Sequence, residues 1–575
     1  MATVTKDRAQ ERERTVGLSR TALGRAVPSA WRRADRRLRD DPVLGWVGTL
    51  AVTLLAFVLR VWHLKTPKAF EFDETYYAKD AWSMLHFGYA RNYDADADRH
   101  ILAGVVDGQW LKSPEMIVHP DVGKWLIAAG EKLFGMDPFG WRIAACVVGS
   151  LMVLVMIRFA RRITRSTLLG LVAGVLLCFD GLEFVLSRLA LLDIFVAFFT
   201  LLAAHFMVAD RDWCRRRTAR AVSSVDGPPR WGPVRRLLFR PWLLAAGVTW
   251  GLAIGTKWQA AYVLAAFGLL YAAWCIGMRR SFGVRRAWAK ALLVDGPVAF
   301  LHLVVVAVVV YVATWTPWMV HADVYEKSLS STQYTQYTGH GHCDGTSYVA
   351  DHLDTKKRWP TATEPDAHGL GEVWQSLRTL WYYHRDVYTF HTHFLNCATH
   401  TYESQPSGWL LLNRPVGVAA DTGIKPGTDS CDAPTGSTCL RQVILLGTPL
   451  LWWGSCLAAI AALFYWILAR DWRFGVAVVG IASSWLPWLM YADRPIFSYY
   501  TIVTLPFLVL ACTLVIGKLI GSGRDSSRRR TVGVVVSGAF VVLVIANFAW
   551  FWPIYTDQLL THSEWLDRIW FKRWI

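Results

Sequence analysis

Asp73 and Glu74 stand side by side just beyond the first long apolar segment of a chain that is mostly hydrophobic. Carboxylates left unpaired near lipid cost several kcal/mol, so a pair at a membrane boundary points to chemistry on a membrane-bound substrate. A carboxylate there suits proton abstraction from a hydroxyl. The plain alternative is a solvated acid pair in a loop. Six histidines farther along, His340, His342, His384, His391, His393 and His400, include a His-x-His pair. They lack the cysteine and acidic ligands that would make a metal spacing diagnostic, and read better as loop or substrate-contact residues.

The elements that must hold these residues are membrane spans. The chain has 575 residues, 54% of them hydrophobic, with 31 Trp and a mean hydropathy of +0.27. Apolar runs recur along nearly its whole length, which excludes a soluble domain and predicts an all-α polytopic membrane protein. About eleven spans are expected, each near the ~20 residues that cross a hydrocarbon core. They fall near 43–62, 141–158, 167–185, 190–209, 242–256, 258–277, 294–318, 442–469, 474–490, 499–517 and 532–551.

The net charge of +17 is concentrated between spans. Arg32 to Arg39, Arg158 to Arg165, Arg215 to Arg217, Arg279 to Arg286 and Arg528 to Arg530 all fall on one side under eleven spans. That side is expected to be cytoplasmic, in the cell membrane, with the C-terminus outside. The charge therefore marks topology rather than a nucleic-acid partner. Residues 1–42 read as a disordered basic tail, 43–318 as an N-terminal membrane module and 442–551 as the C-terminal helices.

Two large outer segments follow, 63–140 and 319–441, with an outer tail at 552–575. Trp125 to Phe134 is expected to be a helix lying in the interface, and Trp374 to Tyr388 a helix within an otherwise irregular second segment. Cys343, Cys397, Cys431 and Cys439 lie in that second segment. Cys431 with Cys439 closes the shortest loop and is the favoured disulfide. No phosphate-cradling glycine loop of the nucleotide-binding folds occurs, which favours a lipid-linked substrate arriving from the bilayer.

Five motifs occur in series: Phe72-Asp73-Glu74, then His119-Pro120-Asp121-Val122-Gly123-Lys124, then the stretch Asp180 to Asp193, then Gly255-Thr256-Lys257-Trp258, then Phe497-Ser498-Tyr499-Tyr500. In order and spacing they resemble the protein O-mannosyltransferases of the GT-C glycosyltransferase superfamily, in their bacterial, actinobacterial-type form. Asp121 stands where members often carry Pro, and the large β-trefoil insertion of eukaryotic members has no counterpart.

The resemblance implies a polyprenyl-phosphate-mannose donor, a Ser/Thr-containing protein acceptor and inverting transfer. It makes Asp73 the base, with Glu74 orienting the acceptor or holding the site. Cations for the departing phosphate are sought in Lys124, Arg142, Arg188 and Lys257, with Arg142 and Lys257 favoured. Each is otherwise a snorkelling anchor at a span end. His119 is carried over as donor-binding with its motif. Tyr499 and Tyr500 either line the donor pocket or belong to an aromatic belt. Asp193 reads as the partner of Arg188. No cofactor is implied, and a divalent cation is not indicated. The alternatives are a GT-C transferase acting on a glycan or lipid, and a transporter; the latter would gather polar residues at the bilayer midplane rather than at one face.

Overall fold

The computed structural model describes residues 42–222, 237–331, 358–392, 394–522 and 525–575. The basic tail, His340, His342, Cys343 and His393 lie outside the described residues, as does the side chain of Cys397.

The described chain is a helical bundle. Its apolar helices are α1 (Pro42–Val61), α4 (Pro138–Thr164), α5 (Thr167–Cys178), α7 (Leu192–Val222), α8 (Pro241–Ile254), α9 (Ala260–Ser281), α10 (Ala287–Thr314), α12 (Pro449–Ile467), α13 (Trp472–Trp485), α14 (Leu505–Ile520) and α15 (Ser527–Tyr555). Each falls on one of the expected spans. Eight apolar stretches are long enough to cross a membrane, and α5, α8 and α14 are shorter. Two of the short ones continue through a break. After α5 the chain turns at Asp180, whose carboxylate caps the short helix α6 (Gly181–Leu186) by accepting from the Glu183 N–H at 3.0 Å. A 3₁₀ segment, Ser498–Val503, leads into α14.

The helices around the 63–140 segment start where the sequence dictates. Asp137 caps α4 by accepting from the Phe139 and Gly140 N–H groups at 2.9 and 2.8 Å, with Pro138 at the first helical position. Between α1 and α4 lie α2 (Glu74–Phe87), a strand pair β1 (Arg91–Tyr93) and β2 (Trp110–Pro114), and α3 (Val122–Phe134). The helix expected at Trp125 to Phe134 is α3, begun three residues earlier; α2 was not anticipated. Gly123 lets α3 seat on α7, because a Cβ there would meet Leu192 Cδ2 at 2.6 Å.

In the second outer segment α11 (Leu370–Thr392) extends the expected helix at both ends. The rest of the described part is less irregular than expected. Strands β3 (Val416–Ile424) and β4 (Cys439–Leu445) pair antiparallel, and β4 takes β5 (Leu560–Thr561) from the C-terminal tail as a third strand. The Cys431–Cys439 disulfide is present, between Cα atoms 5.8 Å apart, at the start of the central strand β4. The tail is further tied down by Trp574, whose indole N–H donates to the Leu412 carbonyl at 2.7 Å.

The stretch Asp180 to Asp193 joins the two halves of the bundle. Asp180 also accepts from the Thr448 N–H at 3.1 Å and the Trp452 indole at 2.7 Å at the start of α12. Glu183 forms a fully buried ion pair with Arg60 at the end of α1. Most of this motif therefore serves packing, while its last residue, Asp193, pairs with Lys257.

Candidate active site

A cavity of about 770 Å³ opens beside the N-terminus of α2, within the size range of small-molecule sites. Its wall brings together residues from all the motifs except the Asp180 to Asp193 stretch: Asp73, His119, Lys124, Lys257 and Tyr500. Asp73 sits at the cap position of α2, half-buried, and accepts a long hydrogen bond from the Tyr77 hydroxyl at 3.4 Å. Phe72, just before it, has φ of 54°, a left-handed conformation that costs a non-glycine residue of order 1 kcal/mol. Edge-on packing of its ring against Phe497, Tyr499 and His400 holds it there. The backbone bend that aims Asp73 into the cavity is thus supported by the last of the five motifs.

Burial pushes the Asp73 carboxyl up to about 6, and Asp193 adds to the rise while Lys257 and Tyr77 oppose it. It remains ionised at neutral pH yet is a stronger base than an ordinary aspartate. The two other cavity carboxyls are in different states. Asp80 is paired to Lys124 at 2.8 Å. Burial, with Asp80 as neighbour, pushes Glu115 up to about 10, so it is protonated at neutral pH.

Lys257 is held by Asp193 at 2.7 Å and lies 5.1 Å from the Tyr500 ring centroid. Asp193 was expected to pair with Arg188; Lys257 takes it instead. Lys124 donates to Asp80 and also lies 3.6 Å from Asp121, so Asp121 joins this ion-pair cluster. His119 stacks on His391 with ring centroids 5.5 Å apart. Burial pushes both imidazoles below the ordinary histidine range, with Lys257 and His391 adding to the shift of His119 and Arg494 adding to that of His391, which falls to about 4. Both rings are neutral at pH 7 and can donate or accept a hydrogen bond without adding charge.

Four of the expected site residues stand behind the cavity rather than on it. Glu74 is fully buried. Arg142 grips it through Nε and Nη2 at 2.8 and 2.7 Å, and Glu74 also accepts from the Ala190 and Glu71 N–H groups at 2.8 and 3.0 Å. The remaining N–H groups of Arg142 donate to the Leu64, Pro67 and Ala69 carbonyls. With every donor used and no exposed surface, Arg142 has nothing left for a phosphate. Arg188 likewise donates to the Arg60, Trp62 and His63 carbonyls, at 2.8, 2.5 and 3.1 Å, and so closes the end of α1. Tyr499 is buried and packs behind Phe72. Arg142 and Arg188 thus stand away from the phosphate role expected of them, Tyr499 packs behind the pocket rather than lining it, and Glu74 takes the site-holding one of its two readings: all four shape the loop that carries Asp73.

Arg494 is the cation that sequence reading missed. It lines the cavity, lies 3.2 Å from His391 Nδ1, and its buried Nε has no partner. The signal was available, since Arg494 stands three residues before the Phe497 motif in the loop that the motif anchors. Trp258, beside Lys257, stacks on His384, whose Nε2 lies 2.5 Å from the Tyr311 hydroxyl. Among the described residues no group of three His, Cys, Asp or Glu side chains converges as a metal site.

Residues 50–325 match the family described as dolichyl-phosphate-mannose-protein mannosyltransferase, and residues 376–574 match the C-terminal four-transmembrane region of protein O-mannosyltransferase. A polyprenol-phosphate-mannose–protein mannosyltransferase of Mycolicibacterium smegmatis is 35% identical over 96% of this chain and 100% of its own length. One from Mycobacterium tuberculosis is 34% identical over 93% and 92%. In fold, the chain is similar to the S. cerevisiae protein O-mannosyltransferase Pmt1-Pmt2 complex bound to the sugar donor, with a TM-score of 0.66 at 14% identity over 94% of each chain. With both family regions matched in order and full-length relatives above 30% identity, this chain is a multi-pass membrane protein that belongs to the protein O-mannosyltransferase family.

Proposed function

We propose that this chain transfers mannose from polyprenol-phosphate-mannose to Ser or Thr hydroxyls of protein acceptors, on the outer face of the cell membrane. The observation that carries the mechanism is that, among the described residues, Asp73 alone of the cavity carboxyls is both ionised and free of a directly paired cation. The acceptor hydroxyl gives its proton to Asp73 as its oxygen attacks the anomeric carbon of mannose. The bond from that carbon to the phosphate oxygen breaks, and its electron pair leaves on the lipid phosphate. Lys257 and Arg494 supply positive charge for that phosphate, while neutral His119 and His391 offer hydrogen bonds. The purified protein, incubated in detergent with radiolabelled polyprenyl-phosphate-mannose and a Ser/Thr/Pro-rich peptide, is expected to label the peptide. Label that stays in lipid or passes only to a glycan would reject the assignment.

Arg494→Gln is expected to weaken polyprenyl phosphate binding and lower kcat/KM for the donor by roughly 10- to 100-fold, the range for losing a hydrogen bond to a charged group. Thermal stability should be near that of the parent. An unchanged donor KM with unchanged kcat would remove Arg494 from the phosphate site. The outer placement of the site is supported by the arginine-rich opposite ends of α4 and α7. A membrane-impermeant thiol reagent on intact cells should label Glu372→Cys and spare Arg215→Cys; the reverse pattern would invert the topology.

A further inference from the structure

The far end of the bundle holds a larger cavity, about 1540 Å³, that the transfer reaction does not use. Asp193 and Arg215 both lie on α7, 22 helical steps apart, which spans ~33 Å at the helical rise, about one hydrocarbon thickness. The two cavities therefore sit at opposite membrane faces. Ten cationic side chains line the second one against two carboxylates, Asp212 and Asp471. Asp212 is taken by Arg211, at 3.3 Å, and Asp471 by Arg473, at 2.6 Å, with Lys518 at 3.7 Å. Arg158, Arg161, Arg162, Arg165, Arg215 and Arg216 have no carboxylate partner among the described residues. Buried polar atoms in the wall are also unsatisfied, namely Arg158 Nη1, Arg162 Nε and His205 Nδ1.

A topology signal alone needs only arginines spread over the loops, with their heads in water. Here they converge from the ends of α4 and α7 on one concavity, where like charges repel and donors go unmatched. One wall of the same cavity is apolar, built from Trp46, Leu154, Leu202 and Phe206. Trp46 is itself clamped by Arg158, whose guanidinium lies 4.0 Å from the ring centroid.

We propose that this cavity is a binding site for a phosphate-bearing anionic lipid of the cytoplasmic leaflet. The phosphate is held by the converging arginines, and an acyl chain runs along the Trp46 wall. The chemistry of the arginines is that of any phosphate, and the apolar wall at a membrane face selects the lipid over a soluble one.

The test uses the delipidated full chain in detergent, titrated with phosphatidylglycerol, cardiolipin or phosphatidylcholine and read by native mass spectrometry, with inorganic pyrophosphate as the soluble probe. An anionic lipid should be retained about tenfold or more over phosphatidylcholine, and pyrophosphate should displace it only weakly. Arg162→Gln/Arg215→Gln should lose that preference. Arg280→Gln/Arg285→Gln, which removes equal charge outside the cavity, should keep it. Equal retention of phosphatidylcholine, tighter binding of pyrophosphate than of lipid, or the same loss in both double variants would overturn the proposal. The comparison of lipids on the parent protein stands even if a variant fails to fold.

Discussion

Asp73→Asn is expected to lower turnover by about a hundredfold or more while leaving fold and donor binding intact, the effect of losing a positioned general base. The substitution is isosteric, and the Tyr77 hydroxyl can still donate to the amide oxygen. Because burial holds the parent carboxyl at about 6, the parent rate should rise with pH through that value as Asp73 loses its proton and becomes the base. The acid limb should vanish from the residual rate of the variant. Near-normal turnover in the variant, or an acid limb shared by both proteins, would take Asp73 out of the mechanism.

The second large effect is one of stability. Arg142→Met should cost about 3–5 kcal/mol, the range for removing one partner of a buried ion pair. It leaves the Glu74 carboxylate inside the protein with only two backbone N–H groups, and strips the Leu64, Pro67 and Ala69 carbonyls of their donor. Adding Glu74→Gln to Arg142→Met removes the stranded charge and should recover part of the melting temperature lost by the single variant. If Arg142 instead gripped substrate phosphate, the single variant would melt like the parent and fail only in donor binding. Detergent-phase thermal melts of parent, single and double variants separate the two.

The contrast between these residues shows what the sequence could and could not convey. The acid pair at Asp73 reads by itself first as a solvated loop, and it is the motif series that points Asp73 to the cavity wall where the structure has it. The spans were legible from length and hydropathy, and the shortness of α5 was not, because it depends on Asp180 finding Thr448 and Trp452 far along the chain. Arg142, Arg188 and Lys257 look alike in sequence, each a cation at the edge of an apolar run. Their fates differ through distant partners: Arg142 meets Glu74, Arg188 meets the end of α1, and Lys257 meets Asp193 with its flank open to the cavity. Local pattern carries no signal for that choice. The β3–β4 pair was missed for a related reason. β3 mixes Gly, Ala, Asp and Thr with few apolar residues in alternation, and the apolar second half of β4 reads as the start of the 442–469 span; the disulfide and β5, from the other end of the chain, complete the sheet. Arg494 was passed over because its loop has no periodicity, although the neighbouring aromatic motif fixes its place.

The central claim is that one carboxylate acts at the sugar in a single displacement. Among the described residues no second ionised, unpaired carboxylate stands on the cavity wall: Glu74 is locked behind it by Arg142, Asp80 is bound to Lys124, and Glu115 is protonated. A double displacement would need such a group as nucleophile. The most direct measurement is the anomeric configuration of the mannosyl peptide by nuclear magnetic resonance, with a β-linked donor, alongside mass spectrometry of the enzyme during turnover. An α-linked product and an unmodified enzyme are predicted. A β-linked product, or a mannosyl adduct on any carboxylate of the chain, would contradict the account.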